Sequence, residues 1–135
     1  MKKILIAGFA SGIALFILSI LGLYITIWFF PVLADQYFDP TFATQSDRVM
    51  FYYMHPFIIS LSLSWFWDRF KGILTGSYVA RGIEFGLIYV MVATFPMMWL
   101  LYSAINVSPE MVATWFMLAL VQGVIAGLIF EKLNP

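Results

Sequence analysis

Residues 4–30 read ILIAGFASGIALFILSILGLYITIWFF, which is 27 positions without a charge. As a helix this run is roughly 40 Å long, more than the roughly 30 Å hydrocarbon layer of a bilayer. It has to span, tilt, or emerge at one end. Three further runs follow: residues 49–67 (19 residues, broken only by His55 and Pro56), 83–105 (23, with Glu84 near one end) and 111–130 (20, with Gln122 inside). Each passes the length a spanning helix needs, and lipid tolerates no unpaired backbone, so the expected fold is all-α. We read an integral membrane four-helix bundle, a single transmembrane domain over residues 1–135 with the loop 31–48 outside the cell.

Composition agrees. Of 135 residues 63% are hydrophobic and 10% charged, against about 45–50% and about 25% in soluble domains. One small core cannot hide that much apolar surface from water, which excludes a soluble enzyme or a nucleic-acid binder. Seven basic and seven acidic residues cancel, so no net field attracts nucleic acid. The chain has no cysteine, which removes disulfides, thiolate metal sites and cysteine nucleophiles.

The balanced charge conceals an asymmetry along the chain. Lys2, Lys3, Arg69, Lys71, Arg81 and Lys132 fall on one side of the spans, and Arg48 alone falls on the other, beside Asp35, Asp39, Asp47 and Glu110. The positive-inside rule then predicts that both termini are cytoplasmic. The Met1-Lys2-Lys3 start with a long apolar run suits an uncleaved anchor better than a signal peptide. The expected location is the inner membrane of a bacterium.

Ser108-Pro109-Glu110 carries the signature of a helix start, with serine as cap, proline at the first helical position and an acid at the positive end of the dipole. Spans 3 and 4 should therefore form a tight antiparallel hairpin. The segment Asp35-Gln36-Tyr37-Phe38-Asp39-Pro40 mixes acids with aromatics and reads as a structured cap. Pro56 and Pro96 each remove a helical donor and clash with a carbonyl four residues back, at Tyr52 and Val92, so kinks are expected at both.

At 100° per residue, Gly8, Ser11, Gly12, Leu15, Ser19, Gly22 and Thr26 share one stripe of span 1. Close approach over small residues is what joins helices in lipid. The same reasoning selects Ser60 and Ser64 in span 2, Gly82, Gly86 and Ala93 in span 3, and Ala119, Gly123, Ala126 and Gly127 in span 4. Such faces suit a compact bundle, other membrane subunits, or self-association.

Polar residues within spans are the candidates for function. His55, the single histidine, lies roughly 9 Å inside its span by helix rise, at the depth of Tyr24, which is placed to fix its tautomer. Gln122 near the middle of span 4 suits an interhelical hydrogen bond, and Glu84 sits three residues after Arg81, the spacing of an intrahelical pair. One histidine without cysteine falls short of a haem or metal centre, so no cofactor is expected. No catalytic triad, zinc motif or phosphate loop is present. The leading expectation is a non-enzymatic accessory or assembly subunit of a larger membrane complex, in contact with lipid. The alternatives are an oligomeric transporter or channel whose polar path uses His55, Gln122 and Glu84, and a lipid- or quinone-binding enzyme.

Overall fold

A computed structural model describes residues 1–39, 42 and 48–135 of the chain. The expected loop positions 40, 41 and 43–47, with Pro40 and Asp47 among them, lie outside the described residues. The elements are α1 (Lys2–Phe29), α2 (Pro31–Asp35), a 3-10 turn (Gln36–Phe38), α3 (Val49–Phe70), α4 (Tyr78–Tyr89), a π-helical turn (Val90–Thr94), α5 (Phe95–Ala104) and α6 (Pro109–Leu133). Among the described residues four helices, with α4 to α5 counted as one, are long and apolar enough to cross a membrane. The protein is a four-helix, multi-pass membrane bundle. Each span extends a few residues past its apolar run, because a helix continues into the interface until a cap stops it.

Caps form where serine precedes a helix. Ser77 Oγ accepts from the Ala80 N–H at 3.4 Å, and Ser108 Oγ accepts from the Met111 N–H at 3.2 Å, with Pro109 at the first position of α6. Gly76 takes φ +105° just before the Ser77 cap, a conformation that glycine adopts without a steric penalty.

Adjacent spans run antiparallel. We call the end holding both chain termini the base and the opposite end the crown. Helix α1 lies between α3 and α6, and α6 lies between α1 and α4. The small-residue stripes are the seams. Ser60 Oγ donates to the Gly8 carbonyl at 2.6 Å and Ser64 Oγ to the Ile4 carbonyl at 2.8 Å, which fixes the α1–α3 register. Across α4–α6, a Cβ built on Gly86 would stand 2.7 Å from the Val124 nitrogen, and one on Gly127 would stand 2.9 Å from the Gly82 carbonyl. Backbones approach that closely only where a side chain is missing. Gly12 likewise receives Phe57, Gly123 receives Tyr89, and Gly22 faces Leu118. Among the described residues the glycines and serines of these stripes pack within the chain, while Ala93 of the span 3 face is exposed.

The buried core sits toward the base: Ala7, Leu15, Leu63, Trp67, Leu74, Phe85, Ala126 and Phe130. Phe85 stands edge-on to Trp67 (5.2 Å between centroids) and to Phe130 (5.9 Å), the arrangement that ring quadrupoles favour. A second cluster closes the crown, where Leu33, Val107 and Met111 are covered by Tyr37, Phe42 and Trp115. The cap expected before α3 is therefore folded onto the start of α6.

The two prolines behave differently. Helix α3 runs unbroken through Pro56. Ahead of Pro96 the chain widens into a π turn, in which the Phe95 N–H reaches the Val90 carbonyl five residues back. Proline offers no N–H and its ring crowds the Val92 carbonyl, and one wider turn relieves both problems.

Candidate functional site

Gln122 is buried on α6, and its Nε2 donates to Ser19 Oγ on α1 at 3.1 Å. Ser19 Oγ in turn donates to the Leu15 carbonyl at 2.9 Å. This relay is the interhelical bond expected of Gln122, set in the α1–α6 seam one turn from Gly22. It fixes the register of two helices and presents no open face to a substrate.

His55 and Tyr24 are not brought together. His55 is exposed on α3, and Tyr24 is 53% exposed on α1 with its ring 6.2 Å from that of Trp28. The expected tyrosine clamp on the imidazole is absent because the smooth stripe of α1 faces inward, which turns Tyr24 outward. Among the described residues, no hydrogen bond joins His55, Gln122 or Glu84 to one another, so the three do not form a continuous polar path.

The Arg81–Glu84 pairing is also corrected. Arg81 Nη1 binds Glu131 Oε1 on α6, while its Nη2 donates to the Lys71 carbonyl at 2.9 Å. The guanidinium carbon lies 5.6 Å from the centre of the Trp67 ring. The Arg81 and Glu131 side chains are only 19% and 12% exposed, and in such surroundings a charge pair is far less screened than an i,i+3 pair in water.

Residues that sequence reading did not single out complete this base cluster. Trp67 Nε1 donates to the Asn134 carbonyl at 2.9 Å, Asn134 Nδ2 donates to Asp68 Oδ1 at 2.9 Å, and Lys71 Nζ donates to Asn134 Oδ1 at 2.9 Å. Lys71 also pairs with Asp68 at 3.4 Å. Asn134 is 1% exposed, and its polar groups bond to both residues of that ion pair and to the indole. The signal in the sequence was faint, a Trp-Asp with a lysine four residues after the indole, and its partners lie more than sixty positions away.

At the crown, Trp115 Nε1 donates to Tyr37 Oη at 2.6 Å. Burial raises the Tyr37 phenol above its ordinary value of 10.0, and the indole N–H offsets part of that rise.

In chemical terms these groups clamp helices together. Among the described residues, no group of three or more His, Asp or Glu side chains is placed to hold a metal ion. No family model, curated protein or solved structure matches the chain.

Proposed function

We propose that this protein is a non-catalytic accessory or assembly subunit of a larger complex in the inner membrane of a bacterium, with its base in the cytoplasm. The observation that carries this reading is His55 on the outer surface of α3. All seven residues 49–55 are exposed, with Met50 and Phe51 both at 68%. Ionisable side chains within spans almost always face a bundle interior or a water-filled cavity, or pair with another polar group. An exposed imidazole among aromatics therefore favours a neighbouring protein over bare lipid. The collection of six basic residues at the base, against Arg48 at the crown, supports the orientation.

The test is native mass measurement after gentle extraction from the source membrane. The expected result is a defined assembly with other membrane proteins, which His55→Leu weakens without lowering the thermal stability of the isolated chain. A homogeneous free monomer or homodimer overturns the reading.

A further inference from the structure

Beyond the π turn the α4–α5 span parts from α6. Below the turn, α4 lies against α6 through glycines on both helices. Above it no glycine interrupts α5, and a cleft of about 510 Å³ opens between α5 and the crown half of α6. Its walls include Phe95, Met98, Trp99, Val112, Phe116 and Met117.

That volume falls in the range of small-molecule sites, and the walls are almost wholly apolar. Left empty, they would forfeit their dispersion contacts, and water there would find no polar partners. The flanking residues Trp99 and Leu100 are 71% and 60% exposed, so the cleft lies open to the membrane along α5. A flexible hydrocarbon chain meets those conditions, and the methionines adapt to its shape.

The neighbouring groove supplies a charge. Glu110, in the first turn of α6, is exposed and lines a second apolar groove with Phe29, Phe30 and Val32. Ala113, one turn further on, borders both grooves. The carboxylate thus belongs to the second groove and stands one helical turn from Ala113, the residue that this groove shares with the α5–α6 cleft. Among the described crown residues the one basic side chain is Arg48, at the N-cap of α3. An anionic head would meet a like charge at Glu110, while an ammonium would be paired.

We propose that the cleft and the neighbouring groove form a phospholipid site, with an acyl tail lying between α5 and α6 and an ethanolamine ammonium paired with Glu110. The occupant is a lipid of the leaflet at the crown.

The experiment uses the full chain, purified and stripped of lipid, then offered equal amounts of phosphatidylethanolamine and phosphatidylglycerol with identical acyl chains. Native mass spectrometry reads the adducts. The expected result is one retained ethanolamine lipid per chain in preference to the glycerol lipid. Ala113→Trp, which fills the shared rim, abolishes the adduct, and Glu110→Gln retains an adduct but loses the preference. Met117→Trp repeats the filling from within the cleft, and circular dichroism verifies that each variant is folded. Equal or stronger retention of the glycerol lipid by the unmodified chain overturns the proposal, as does an undiminished adduct in both folded tryptophan variants. Cross-linking from Met117 in native membranes that captures a protein helix in place of lipid also overturns it.

Discussion

Arg81 on α4 reaches across to Glu131 on α6, although Glu84 lies one turn away on its own helix. The cross-helix partner prevails because both charges are largely shielded there, whereas an exposed i,i+3 pair contributes only about 0.2–0.5 kcal/mol. Removing one member leaves the other largely shielded from solvent and without its counter-charge. Arg81→Met or Glu131→Leu alone should cost about 3 kcal/mol in detergent unfolding, and the double variant should regain most of it. Glu84→Gln should leave stability unchanged in the same assay.

Gly86 and Gly22 both lie on small-residue stripes, yet they should respond differently to an added methyl. At Gly86 the new Cβ meets backbone of Val124 at 2.7 Å, whereas at Gly22 the nearest atom is a Leu118 methyl at 3.6 Å. Gly86→Ala should destabilise by about 1–3 kcal/mol, as overpacking does, and Gly22→Ala should cost nothing. Thermal unfolding of the two variants side by side decides it.

For the Gln122–Ser19 bond the expected effect is small. Interhelical hydrogen bonds in membranes average about 0.6 kcal/mol, with a maximum near 1.7. A double-mutant cycle with Gln122→Leu and Ser19→Ala should give a coupling energy in that range. Coupling near zero would show that the relay does not hold the α1–α6 register.

Tyr37 links crown stability to alkaline pH. Its folded pKa lies above 10.0, chiefly because burial disfavours the phenolate. The unfolded chain therefore gives up this proton first. Stability from this group is complete below the ordinary phenol value and declines as pH rises through the raised one. Comparing unfolding at about pH 9 and about pH 11 should show that decline, and Tyr37→Phe should make it shallower. An unchanged slope in the variant would dissociate Tyr37 from the effect.

Legibility in the sequence followed the range of the interaction. The Ser108-Pro109-Glu110 start of α6 was readable because a cap depends on residues three apart. The stripes of α1, α4 and α6 were readable because helical periodicity places Gly8 with Gly12, Gly82 with Gly86 and Gly123 with Gly127. The position of Gln122 in the middle of a span points to an interhelical hydrogen bond, but which atom it bonds, Ser19 Oγ on α1, is a property of the packed bundle. Depth alone pairs Tyr24 with His55, and depth carries no information about which way a side chain faces.

The sequence by itself determined four apolar helices, their antiparallel order, the basic and acidic ends and the small faces along which they meet. Periodicity, length against bilayer thickness and local capping are properties of neighbouring residues, so one chain suffices to read them. Only the tertiary structure decided that Glu131 takes Arg81, that Asn134 ties Trp67, Asp68 and Lys71 together, and that α5 leaves α6 beyond the π turn. Each of these depends on the rotation and separation of helices distant in sequence, which packing sets for the whole bundle at once.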